Sequence, residues 1–298
     1  MSHSAAPVLV ISNSASGAAD PDAMAIVERE LGGLGPVSRL APDSVDTFDR
    51  EVGAAAAEFD LVVVAGGDGT FNRALNALRD RLGEVIFGLV PMGTGNDLAR
   101  TLGLPRDAES AARVVVAGGE RVVDVWRARS GRVDRLFINA CMGGFPVEVN
   151  AAIDDDLKRR FGPLAFWVGG AKAASELTRY DVTIGGRSVP DCVAAGVGNG
   201  RTCGGGIKMW PEADPSDGLL EACALHADGV ADALKLAATV KSGGHVRLEE
   251  VEMLRGERIE VTSDPPMAFN IDGELVGLES PVVFERAATA KVRASDLA

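Results

Sequence analysis

Leu61-Val62-Val63-Val64-Ala65-Gly66-Gly67-Asp68-Gly69-Thr70 is the stretch on which the fold turns. Five apolar residues with three consecutive valines read as a buried strand, because β-branched side chains suit an extended chain packed on both faces. Three glycines then remove Cβ atoms where the chain bends, so bare backbone N–H groups can approach a phosphate closely. Phe71, Leu75, Leu78 and Leu82 follow at helical spacing and predict a helix over Phe71 to Arg81. Its N-terminus adds partial positive charge to the same spot. Asp68 is the odd member, since a carboxylate repels phosphate unless a divalent cation lies between them. The stretch points to a nucleotide–metal site at the end of a buried strand.

The same strand–loop–helix unit recurs on either side. Val8 to Ser12 reads as a strand, followed by the polar loop Asn13-Ser14-Ala15-Ser16-Gly17 and a helix from Pro21 to Leu31, with Asp20 as N-cap. A short strand at Val37 to Leu40 and an alanine-rich helix ending near Glu58 lead into Leu61. Ile86 to Val90 is another strand, and Asn96 to Leu102 a short helix. This repetition predicts a parallel sheet with helices on both faces over residues 1–125.

Beyond Arg121 the texture changes. Val122 to Ala128 and Val133 to Ala140 read as strands joined at Ser130-Gly131. Helices are expected at Val147 to Arg160, Leu164 to Thr178 and Asp228 to Lys241. Strands are expected at Asp181 to Ile184, Cys192 to Val197, Leu219 to Leu225, Arg247 to Leu254, Arg258 to Val261, Met267 to Ile271 and Val282 to Glu285. Residues 126–285 therefore read as a mainly antiparallel β-sandwich with helical insertions. Residues 286–298 are expected to return to the first domain.

Bulk properties narrow the function. At 298 residues, 46% hydrophobic and 24% charged, the chain is a globular two-domain protein rather than a disordered one. A net charge of −13 argues against non-specific nucleic-acid binding, which needs a basic face. Cys141, Cys192, Cys203 and Cys223 form no C-x-x-C pair and suit reduced thiols. No apolar run approaches the roughly 20 residues of a membrane span, so a cytoplasmic protein, or one peripheral at a membrane, is expected.

Three more constellations accompany the glycine stretch. Pro91-Met92-Gly93-Thr94-Gly95-Asn96-Asp97 follows a strand in the same setting, and both loops would emerge at the carboxyl edge of a parallel sheet, where ligands bind. Asn199-Gly200 and Gly204-Gly205-Gly206 precede the acidic stretch Asp214-Pro215-Ser216-Asp217-Gly218. Asp272-Gly273-Glu274 places two carboxylates on a tight turn.

G-G-D-G-T, G-T-G-N-D and a late D-G-E, in that order, resemble the diacylglycerol kinase catalytic-domain family, which includes bacterial lipid kinases, sphingosine kinases and ceramide kinases. The resemblance implies an ATP-dependent lipid kinase acting on a lipid hydroxyl, by default diacylglycerol-like, with ATP and Mg2+ as cofactors. It also implies a lipid acceptor met at a membrane surface, and its relatives often form homodimers. Carried over residue by residue, Asn13, Ser14, Ser16, Gly17, Gly66, Gly67, Asp68, Gly69, Thr70, Asn72, Thr94, Gly95 and Asn96 would hold ATP. Glu274 would be the general base, Asp68 and Asp124 would hold the catalytic magnesium, and Asp214, Asp217 and the Leu219 carbonyl a second, structural magnesium. No Walker-type lysine loop is present, so backbone amides and metal would carry the phosphates.

The chain departs from the family pattern at Arg73, Ala77 and Pro146, and at Ser14, where a proline is common. Plainer readings stand beside the functional ones. Asp214 and Asp217 suit a solvated turn and Asp272-Gly273 a hairpin turn. Asp124 could pair with Arg121 or Arg127. His226, His245 and Cys203 read as packing or surface residues. The segment from Lys158 to Trp167 mixes basic and aromatic residues, suited either to a headgroup layer or to inward packing. A soluble-substrate kinase related to NAD kinase and a catalytically silent nucleotide- or lipid-binding module are the alternative functions.

Overall fold

The computed structural model describes residues 6–12, 21–42, 44–145, 178–228 and 230–295. The chain divides into two compact units, residues 1–125 with 287–298, and residues 126–286. The loop Asn13 to Gly17, Pro146, the expected helix from Val147, nearly all of that from Leu164 and the segment Lys158 to Trp167 lie outside the described residues.

The first unit is built on strands β1 (Val8–Ser12), β2 (Val37–Leu40), β3 (Leu61–Gly66) and β4 (Ile86–Pro91). They run parallel in the order β2-β1-β3-β4. The end of β15 (Val282–Ala294) adds itself in parallel, with Lys291 and Val292 beside Ile86 and Phe87. Val8, Val10, Leu61, Val63 and Ala65 share one face with Met24, Val27 and Leu31 of α1 (Pro21–Leu31) and with Ala111, Ala112 and Val115 of α5 (Ala108–Ala117). Alternation sends Leu9, Ile11, Val62 and Val64, also buried, to the opposite face. There α3 (Asp68–Ala77) packs on β3 and on α2 (Val45–Ala55). Gly88 lets α5 lie close, because a Cβ there would sit 3.0 Å from both Val115 and Val63.

Two helical expectations change. The helix expected from Phe71 begins three residues earlier, at Asp68, and Phe71 N–H bonds the Gly67 carbonyl at 3.1 Å. Its first turn is glycine and polar, so apolar periodicity does not register it. The far end breaks at Leu78 into a 3₁₀ turn over Arg79–Arg81, where Arg81 donates to the carbonyl of Ala56. The α5 helix has no counterpart in the sequence reading.

The second unit is antiparallel throughout its registered pairs. Its main path runs β14 (Glu274–Glu279), β13 (Ala268–Ile271), β7 (Ala140–Gly144), β9 (Arg187–Gly198), β8 (Tyr180–Ile184), β12 (Arg258–Asp264) and the start of β15. β10 (Leu220–His226) joins β9, β11 (Val251–Gly256) joins β10, and β5 (Gly119–Ser130) pairs with β6 (Val133–Phe137). β10 is buried on both faces. Leu220, Ala222 and Ala224 meet an aromatic core containing Trp126, Phe137, Phe269 and Phe284. Cys223 and Leu225 meet Leu236 and Val240 of α6 (Val230–Val240) together with Trp210.

The run Val133 to Ala140, expected as one strand, is two. Asn139 interrupts it: its carbonyl accepts from the N–H groups of Asn199 and Gly200 at 2.8 and 2.9 Å, and its amide donates to the Thr202 carbonyl. Arg247, expected to open a strand, instead closes a 3₁₀ turn over Gly244–Arg247, so β11 starts at Val251.

Candidate functional site

In the first unit, β3 and β4 are neighbours in register, with Gly66 beside Pro91, so the two glycine-rich loops leave the same edge of the sheet side by side. They touch. A Cβ on Gly93 would lie 2.6 Å from the Gly67 Cα, and one on Gly95 would lie 3.1 Å from Asp68 Oδ2. The Met92 N–H bonds the Gly66 carbonyl at 3.0 Å. These glycines are thus required first by the approach of one loop to the other.

Asp68 spans them. Its Oδ2 accepts from the Asp97 N–H and its Oδ1 from the Leu98 N–H, both at 3.0 Å. Those are the opening N–H groups of α4 (Asp97–Thr101), so Asp68 caps a helix 29 residues away in sequence. Asn96, at the N-cap position, makes no cap of its own. It sits at φ 52, ψ 42 and turns its amide back on Gly93, accepting from that N–H at 3.0 Å and donating to its carbonyl at 2.6 Å. Arg100 Nη1 donates to the Gly95 carbonyl and, at 3.0 Å, to Asp97 Oδ1. Burial pushes the Asp68 carboxyl above its ordinary value; the two N–H donors oppose this, nearby Asp97 adds to it, and Arg100 counters it.

The capped helix α4 therefore has its first amides occupied. α3 begins at Asp68, and Gly67 at its N-cap position has no side chain with which to cap it; the amide end of this ten-residue helix carries partial positive charge. Thr94 is exposed on the second loop, and Thr70 is buried behind the first. Asn72 is buried, and both its carbonyl and its Oδ1 accept from Asn76 Nδ2 at 2.9 and 3.1 Å, so its side chain is engaged within α3. Asp124 is buried in β5. Nearby in sequence, Arg127 Nε lies 3.5 Å from Asp134 Oδ1.

The second unit offers looser acids. Asp214 and Asp217 are exposed. Asp214 Oδ1 accepts from the Ser216 N–H at 3.0 Å and its hydroxyl at 2.7 Å, and Asp217 Oδ1 accepts from the Leu219 N–H at 2.9 Å. Among the described residues no three His, Cys, Asp or Glu side chains gather into a metal cluster. Asp272 and Gly273, at φ 48 and φ 86, form the two-residue turn of the β13–β14 hairpin, which is type I′. Asp272 is anchored twice on Ala140: its Oδ1 accepts from that N–H at 2.8 Å, and its own N–H donates to that carbonyl at 2.9 Å. Glu274, half-buried, opens β14 directly after the turn.

Comparison with known proteins decides the family. Residues 7–128 match the model of the diacylglycerol kinase catalytic domain, and residues 140–292 match that of the YegS C-terminal NAD kinase beta sandwich-like domain. The chain belongs to the diacylglycerol kinase catalytic-domain family. A protein of Bacillus subtilis (strain 168) named diacylglycerol kinase is 31% identical over 76% of this chain and 74% of its own. A Xanthomonas oryzae pv. oryzae protein named "Probable lipid kinase YegS-like" is 35% identical over 76% of each. A crystal structure from Bacillus anthracis str. Sterne superposes with a TM-score of 0.81 over 99% of both chains at 22% identity, and so supports the fold. Diacylglycerol kinase-like architecture, a parallel α/β region followed by an antiparallel sandwich, is what the strands form. Membership places the chain among lipid kinase-like phosphotransferases. Among the described residues no helix is long and apolar enough to cross a membrane.

Asp97 closes a motif already legible in the sequence, but its bond to Asp68, and the part played by Arg100, enter only through the structure. The spacing of Asp97 and Arg100, three apart on a short helix, is the sequence signal that could have suggested the pair.

Proposed function

We propose that this protein is an ATP-dependent kinase that transfers the γ-phosphoryl group to a lipid hydroxyl, with a diacylglycerol-like acceptor met at a membrane surface. The observation that carries the reading is the pair of clasped glycine loops at one sheet edge, beside the amide end of α3, whose N-cap residue is a glycine. Phosphate oxygens fit there: glycine backbone permits close approach, and the helix end supplies N–H donors and partial positive charge.

The acids fit magnesium in kind, since all are hard oxygen donors, and an ion that keeps several waters needs only one or two carboxylates. In the first unit Asp68 and Asp124 are the acids that would hold it; in the second, Asp214, Asp217 and the Leu219 carbonyl. Magnesium, when bound, would neutralise phosphate charge as it builds up during transfer. The residues themselves supply position and proton chemistry. Gly66, Gly67 and Gly69 admit the phosphates, and Thr94 and Asn96 shape the second wall. Asp68 fixes that wall to the first. Glu274 accepts the proton of the attacking hydroxyl.

The test is incubation of the purified protein with γ-labelled ATP and a panel of lipids, NAD and sugars, with products identified by mass spectrometry. Label on a lipid hydroxyl is the expected result. Label on NAD alone would move the protein to a soluble-substrate kinase. Nucleotide binding without transfer to any acceptor would make it a binding module.

A further inference from the structure

We propose that Arg100 is a positioning residue that sets the affinity of the Gly93 to Asp97 loop for the nucleotide's phosphates; the inference rests on the kinase reading above. The loop lacks a ladder of its own and is held by side chains. Asp68 fixes its far end at Asp97 and Leu98, and Asn96 closes its near end on Gly93. Arg100 reaches its middle through the Gly95 carbonyl, and the same Nη1 holds Asp97. One nitrogen thus joins the loop's bend to the first residue of the helix that Asp68 caps.

The charge matters as much as the geometry. Asp68 and Asp97 are adjacent acids in a largely buried corner, and Asp97 is 5% exposed. Arg100 forms an ion pair with Asp97 at 3.0 Å. Without it, this acidic corner beside a triphosphate would lose a positive charge, in a medium where screening is weak. The loss should therefore grow with the charge of the ligand, which a purely structural role would not produce. Because a single nitrogen makes both bonds, lysine can replace much of the function although it is shorter.

Arg100→Met is expected to raise the KM for ATP roughly 10–100-fold, the range of one charge-assisted hydrogen bond. It should change kcat by less than about threefold and leave adenosine binding nearly unaltered. Arg100→Lys should recover most of the ATP affinity. Calorimetric binding of a non-hydrolysable ATP analogue and of adenosine, with thermal midpoints for each variant, reads all of this. If Arg100→Met does not fold, Arg100→Lys against Arg100→Gln carries the same comparison. Unchanged ATP affinity in a folded charge-neutral variant overturns the proposal. So does an equal loss for ATP and adenosine, which would mark a structural part. A wild-type protein that binds no ATP would instead remove the kinase reading and this inference with it.

Discussion

The acids of the two units live under opposite rules. In the first unit Asp68 is largely withdrawn from solvent and answers backbone N–H groups of another loop, so its removal would orphan two donors far along the chain. In the second, Asp214 and Asp217 are exposed and, among the described residues, answer N–H and O–H groups two residues ahead. A carboxylate that curls onto its own turn orders that turn. One that bridges distant loops sets the shape of a site. The difference teaches that a motif acid should be judged by the sequence distance to its partner as well as by its place in the motif.

The comparison can be broken first at Glu274. As the proposed base it sits on a hairpin held by Asp272, so Glu274→Gln should lower kcat by about 10²–10⁴-fold while the urea midpoint stays where it was. An unchanged rate removes Glu274 from the chemistry.

Glycine substitutions sharpen the contrast next. Gly93→Ala puts a Cβ 2.6 Å from the Gly67 Cα, forcing the loops apart at a cost of about 1–3 kcal/mol and weakening nucleotide binding. Gly273→Ala meets nothing within 4 Å and should cost only about 1 kcal/mol for its left-handed backbone. Urea unfolding of both variants checks the order; a larger loss at Gly273 would reverse it.

Within the second unit, the two described histidines should respond to acid in opposite senses. His245 is fully buried with Nε2 3.0 Å from the Met209 carbonyl, and burial holds its pKa below the ordinary value. The folded form then binds fewer protons than the unfolded one, so stability is present above about pH 6.5 and is lost as pH falls below it. His245→Gln should flatten that acid limb. For His226 burial acts downward, but the Pro190 carbonyl and Asp228 outweigh it and the net shift is upward. Its contribution is present below the ordinary value and is lost as pH rises. Thermal melts of His245→Gln and His226→Gln beside the wild type from pH 5 to 8 read the two slopes, and equal slopes would contradict the assignment.

The smallest effect belongs to Asp214. Asp214→Asn should shift stability by no more than about 0.5 kcal/mol, as for a surface change. Magnesium should raise the melting temperature of the wild type more than that of the variant. Equal shifts would leave Asp214 as a turn residue alone.

The residue order alone announced the parallel α/β region, the antiparallel sandwich and the family. Val62-Val63-Val64 before Gly66-Gly67, and the ordered triplet of glycine–acid motifs, are local signals, and local backbone preference is enough to read them. It did not announce α5, because Val114-Val115-Val116 suits a strand as well as a helix; packing of Ala111, Ala112 and Val115 beneath the sheet settles it. Nor did it announce β14 or the full run of β15, whose glycine, alanine and charged residues carry little pattern. What only the folded chain decided is the clasp. Whether Asp68 faces a ligand, solvent or another loop depends on Asp97 and Leu98, brought to it because β3 and β4 end side by side. A contact between residues so far apart in the chain leaves no periodic trace in either segment.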